Sequence, residues 1–161
     1  MQKIALIAAA ATLGVVLPSF QTPAETDYEG LKGLITGLGY EVKETKLEKG
    51  GFTYEFVEKT EDFTVPILAE ISESKRYIWL TVALGDPPKE VAKHTNLLKH
   101  NSDIQPAFFY ITSAGKLKVG LAIDNRGLTS AHLKRVVGLV VNGVSSTSAD
   151  WSSSGSLIHR R

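Results

Sequence analysis

Between Phe52 and Leu84, apolar residues recur at every second position through consecutive segments. FTYEFVEK puts Phe52, Tyr54 and Phe56 on one side, and FTVPILAEI does the same with Phe63, Val65, Ile67, Ala69 and Ile71. A period of two is the repeat of a strand, not of a helix, so this stretch can bury a face only as a β-sheet. The next segment, RYIWLTVAL, is apolar on both sides and predicts a central strand covered on each face. YEVKETK supplies a strand before them, Gly50-Gly51 and Ser72–Lys75 supply turns, and the four segments read as an antiparallel meander. Pro66 has no N–H to give a ladder, which predicts an edge or a bulge at that point.

Helical periodicity brackets this sheet. Tyr28, Leu31, Leu34, Ile35 and Leu38 repeat at i, i+3, i+4 behind the N-cap candidate Asp27, and Gly39 supplies the stop. Gly30, Gly33 and Gly37 weaken that helix, so it should depend on packing. After Gly85-Asp86-Pro87-Pro88 a second helix is expected from about Lys89 to Lys99, with Val91, Leu97 and Leu98 buried. Pro106 to Ile111 and Lys116 to Ile123 read as a hairpin around Ser113-Ala114-Gly115. Thr129 opens a last helix whose stripe is Leu133, Val136, Val137, Val140, Val141 and Val144. The order α-β-β-β-β-α-β-β-α predicts an α+β domain, an antiparallel sheet packed with helices. Residues 25–144 form that single domain, and the Ser-rich stretch 145–161 reads as a flexible tail, with Trp151 docked or exposed.

The first residues concern destination. Lys3 precedes Ile4 to Leu17, a run without a charge that is too short to span a bilayer comfortably and has signal-peptide proportions. Residues 1–24 are therefore expected to be a signal peptide cleaved near Ala24, leaving an exported chain, periplasmic or secreted, with no membrane segment. The chain has no cysteine, which excludes disulfides, a thiol nucleophile and thiolate metal sites. Residues 25–90 hold 14 acids and 8 bases, and residues 91–161 hold 3 acids and 9 bases. The halves can complement one another within the fold or across a dimer. Such a balance, without a basic stripe interleaved with stacking aromatics, argues against nucleic acid.

No catalytic constellation emerges. His94 and His100 are too far apart in sequence to share a helical face as ligands, and His132 and His159 have no partner motif. No G-x-S-x-G elbow, P-loop or dinucleotide fingerprint is present. Carboxylate pairs such as Glu61-Asp62 sit on turns, and Glu70, flanked by Ala69 and Ile71, belongs to the other face of its strand. Neither an enzyme, nor a cofactor, nor a metal site is expected. Binding candidates are the sheet aromatics Tyr54, Phe56, Tyr77 and Trp79, each of which could equally be core.

Leu97-Leu98 and Asn101 on a helix, Phe108 on a strand, Gly115 at a turn, and Leu128-Thr129 opening a helix with Leu133 and Val137 resemble the YbjN-type family. Leu31, Leu34, Leu38, Gly39 and Tyr40 extend the likeness, which covers residues 27–144. That family is labelled bacterial sensory transduction regulators and is similar in fold to type III secretion chaperones. The resemblance implies a chaperone-like α+β domain, often dimeric, that binds protein segments and catalyses nothing. With the leader it gives an exported, non-enzymatic protein-binding module, possible homodimer included, or alternatively a carrier of a small apolar ligand in the bacterial envelope.

Overall fold

The computed structural model describes residues 23–48, 50–152 and 158–160. In chain order they form α1 (Tyr28–Gly37), β1 (Lys43–Lys46), β2 (Phe52–Lys59), β3 (Phe63–Ile71), β4 (Tyr77–Gly85), α2 (Val91–Asp103), β5 (Phe108–Ile111), β6 (Leu117–Asp124), α3 (Ser130–Ser146), α4 (Ser148–Trp151) and β7 (His159–Arg160). The leader lies outside the described residues as far as residue 22. The strands form one antiparallel sheet in the order β1-β2-β3-β4-β6-β5, with β7 added to β3. The expected meander is therefore present, β4 is central, and the hairpin β5–β6 extends the sheet beyond it.

The period-2 pattern sets the two faces. Tyr54, Phe56, Val65, Ile67, Ala69, Ile78, Leu80, Val82, Val119 and Leu121 are buried on one of them. Leu31 and Ile35 of α1 and the valine stripe of α3 join the same cluster. Burying a side chain of this size stabilises by about 1.5–3 kcal/mol, which explains how α1, with three glycines, and the β-branched α3 hold as helices. Both begin at side-chain caps. Asp27 accepts from the Gly30 amide at 2.7 Å, and Thr129 accepts from the His132 amide at 3.2 Å. Buried Asn125 ties the segment before α1 to the β3–β4 turn, donating through Nδ2 to the carbonyls of Thr26 and Lys75 at 3.0 and 2.8 Å.

Four expectations change. β4 is covered on one face rather than two: Trp79, Thr81 and Ala83 are half-buried, and Tyr77 is exposed. β3 lies inside the sheet despite Pro66, because β4 pairs with it only from Leu68 to Ile71. At Pro66 the strand is paired on the β2 side alone among the described residues, opposite Val57, so the missing N–H costs no ladder bond to β4. In α2, Leu97 is buried but Val91 and Leu98 are 77% and 70% exposed. The helix runs on to Asp103, so the stripe Leu97, Asn101, Ile104 faces inward instead.

The fourth concerns the Ser-rich end. Of the stretch 145–161 read as a flexible tail, residues 153–157 and 161 lie outside the described residues; the described part contains α4 and β7, and Trp151 is 1% exposed. Its indole Nε1 donates to the Val144 carbonyl at 2.8 Å, and its ring lies 6.0 Å from that of Phe63. Asp150 meanwhile accepts from Asn96 Nδ2 at 3.0 Å and pairs with His100 Nε2 at 2.9 Å, fastening α4 to α2. These contacts hold the Asp150 carboxyl below the usual range, the Asn96 hydrogen bond first and His100 next. Serine composition hides these anchors, because one large aromatic outweighs many small polar neighbours in buried area.

Candidate binding surface

Among the described residues, three of the five exposed large apolar side chains, Val91, Leu98 and Ile111, lie at the β5 end of the sheet. β5 is an edge strand whose residues alternate between two environments. Phe109 faces the core and is buried beside Val119, its partner on β6. Phe108 and Tyr110 face the other side, where they join Trp79 of β4. The Trp79 and Phe108 rings meet edge to face at 6.1 Å, and Phe108 and Tyr110 lie 5.7 Å apart. Gly120, opposite Phe108 on β6, makes room for this cluster. A Cβ there would come within 2.9 Å of the Tyr110 ring. Burial pushes the Tyr110 hydroxyl pKa up, and the negative charge of Glu70 adds to the shift.

A groove runs between α2 and β5 on the core side of the same edge. It has a volume of about 340 Å³ and is lined by Pro87, His94, Leu97, Leu98, Phe109, Ile111 and their neighbours. Val91 and Leu98 lie two helical turns apart on one stripe of α2, and Ile111 is 54% exposed on β5. The buried His94 Nε2 has no hydrogen-bond partner among the described residues. Asn101 closes the outer backbone of β5. Its Oδ1 accepts from the Phe109 amide at 2.6 Å and its Nδ2 donates to the Phe109 carbonyl at 3.3 Å. A carboxamide thus stands where a neighbouring strand would pair, so side chains rather than a free ladder make this edge adhesive.

The four aromatics expected from the sequence do not come together. Tyr54 and Phe56 are 0% and 1% exposed and belong to the core. Tyr54 donates through its hydroxyl to the Tyr28 carbonyl at 2.9 Å, and desolvation pushes its pKa up to about 12. They are structural, because the face they share is the one that the helices cover. Tyr77 and Trp79 lie on the opposite face, where Trp79 joins the aromatic cluster and Tyr77 lies against the polar pair Asp124 and Arg126. Glu70 is exposed on that face, paired in register with Trp79. Phe108, Tyr110, Ile111 and His94 were not singled out as binding residues. The legible signal was FFYI itself, a strand apolar on both faces with no acid or base among its residues.

Neither a family model nor a curated protein sequence matches the chain. Solved structures do. A chain of the heterodimeric ExoU–SpcU complex from the type III secretion system of Pseudomonas aeruginosa aligns with a TM-score of 0.56 and 17% identity, over 74% of this chain and 95% of that one. A chain of the HopA1–SchA chaperone–effector complex aligns with a TM-score of 0.47 and 14% identity, over 70% and 84%. The fold is thus α+β and chaperone-like, as the sequence led us to expect.

Proposed function

We propose that this chain is an exported, non-enzymatic protein-binding module of the YbjN type, holding a partner polypeptide against the α2–β5 groove. The observation that carries the reading is the clustering of exposed apolar side chains. Among the described residues the large exposed ones are Val57, Tyr77, Val91, Leu98 and Ile111; Leu98 and Ile111 stand on the two walls of one groove, and Val91 shares the helical stripe of Leu98. An apolar stripe that a helix does not bury in its own domain marks an interaction surface. The likeness to a chain taken from a heterodimeric complex supports a protein as the occupant. Export rests on the uncharged run Ile4 to Leu17 behind Lys3.

The test is affinity co-purification of the mature chain from envelope and secreted fractions, beside a Leu98→Asp, Ile111→Asp double variant. Both positions are exposed, so the variant should fold normally while losing the partner. Recovery of the same protein in the same amount on the variant refutes the groove as its site. Light scattering of both proteins tells whether the occupant is a second copy. An empty eluate carrying a small apolar compound would favour the carrier reading. The mass of the exported chain reads the leader directly, since retention of residues 1–24 removes the export argument.

A further inference from the structure

The outer edge of β2 is only half used. At the β2–β3 turn the Thr60 amide donates to the Phe63 carbonyl at 2.8 Å. Backbone groups of an antiparallel strand point alternately to its two sides. Thr60, Glu58 and Phe56 therefore serve β3, while Lys59, Val57, Glu55 and Thr53 point the other way. The β1–β2 turn agrees in phase, since there the Leu47 amide donates to the Gly51 carbonyl at 3.1 Å, which gives Thr53 and Glu55 to β1. β1 reaches no further than Lys43, opposite Glu55. Val57 and Lys59 are left with outward amides and carbonyls that have no partner among the described residues. The lane beside them is open, because a groove of about 720 Å³ separates β2 from residues 39–42. Val57 is 40% exposed there, and Lys59 is exposed without an ion pair among the described residues. On β5, by contrast, the outward groups of Phe109 are closed by Asn101.

We propose that β2 pairs along this lane with β2 of a second copy of the chain, antiparallel about a two-fold axis at Glu58, so that the two sheets run on as one. Val57 of each copy then stands opposite Lys59 of the other. Both residues aim their backbone groups at the neighbour, so each pair exchanges both of its ladder bonds. Other self-registers fail. Val57 opposite Val57 would bring Lys59 of the second copy onto the edge at Glu55, which β1 already holds, and Lys59 opposite Lys59 sets like charges face to face. In the proposed register the free Lys59 lies diagonal to Glu55 of the other copy, about 7–8 Å away and within reach of a long side chain. The two-fold makes this contact twice, and Glu55 has only a long contact with Lys43, at 3.7 Å, to share. On the core side Glu58 meets Glu58. Each is already held by its own Tyr40 hydroxyl and by Lys134 Nζ at 3.6 Å, so neither is a bare charge. The interface is small, which predicts a weak dimer that dissociates in the micromolar range. It lies at the other end of the sheet from the α2–β5 groove and stands or falls apart from it.

The test is sedimentation equilibrium of the chain as purified from its host, with circular dichroism to check that each variant is folded. The unaltered chain should show a monomer–dimer equilibrium. Val57→Pro removes an outward amide and no bond to β3, so it should raise the dissociation constant ten-fold or more. Lys59→Glu and Glu55→Lys each put like charges on both diagonals and should weaken the dimer several-fold. An equimolar mixture of those two variants restores opposite charges on both diagonals, so it should associate more tightly than either alone. Leu98→Asp with Ile111→Asp should leave the equilibrium unchanged. A monomer at every concentration, a dimer indifferent to Val57→Pro, or a mixture no tighter than its components overturns the proposal. So does loss of the dimer in the Leu98→Asp, Ile111→Asp variant, which would move the second copy to the α2–β5 groove. Should Val57→Pro unfold the chain, the charge variants and their mixture decide alone, since they leave the backbone intact.

Discussion

Replacing Trp151 by alanine asks most directly whether the Ser-rich end belongs to the fold. The side chain is 1% exposed, so the substitution removes a whole buried indole. Large aromatic truncations in cores cost about 3–5 kcal/mol. The ring contact with Phe63 at 6.0 Å is worth about 0.5–1.5 kcal/mol of this beyond burial, and the Nε1 bond to Val144 about another 1. Together these place the loss near 4 kcal/mol, a large part of the 5–15 kcal/mol that holds a typical domain. At about 2–4 °C per kcal/mol, Tm should fall by roughly 8–16 °C. Urea unfolding followed by circular dichroism, with unchanged m, gives the free energy independently. Trp151→Phe should recover most of the loss, because it keeps an aromatic ring and gives up the N–H. A chain ending at Val144 should lose at least as much as the alanine variant. A cost below about 1 kcal/mol would refute the reasoning and return the segment to the status of a tail.

Other outcomes follow from the same contacts. In α2, Leu97→Ala should cost about 2–5 kcal/mol, whereas Leu98→Ala should stay within about 0.5, read by the same denaturation curves. Gly120→Val should displace the Tyr110 ring, shifting its aromatic NMR signals and those of Phe108, because a Cβ meets that ring at 2.9 Å. Asp124 is held down to about 2, chiefly by the side-chain hydrogen bond from Arg126. A depressed carboxyl contributes stability above its unfolded pKa and loses it as pH falls through the folded one, here from about 4 towards 2. Arg126→Gln should therefore raise the Asp124 titration seen by NMR towards the ordinary value. Tyr54 has the opposite sign. Its pKa of about 12 in the fold means that stability is lost as pH rises from about 10 towards 12, with tyrosinate absorbance appearing last from this residue.

The sequence by itself determined whatever depends on neighbours in the chain. Alternation from Phe52 to Leu84 sufficed for three strands and for which residues share a face on each, since side chains on a strand alternate whatever lies beyond it. Asp27 and Thr129 marked helix starts because a cap bonds amides two or three residues away. The tertiary structure decided which of two competing apolar stripes each element would bury. Leu97 and Leu98 lie about 100° apart on α2, so only one can face the core. Leu97 does, because Asn101 and Ile104 share its stripe and Asn101 holds the Phe109 backbone. Leu98 and Val91 are left outside by that choice, and the groove exists for this reason. Tyr54 and Trp79 were likewise equal candidates in one dimension. They separate because the helices close on one face of the sheet, and nothing local in either strand says which. Trp151 shows the limit most plainly. Its partner Phe63 opens β3, far earlier in the chain, and a low-complexity context carries no trace of a contact made only when the chain has folded back on itself.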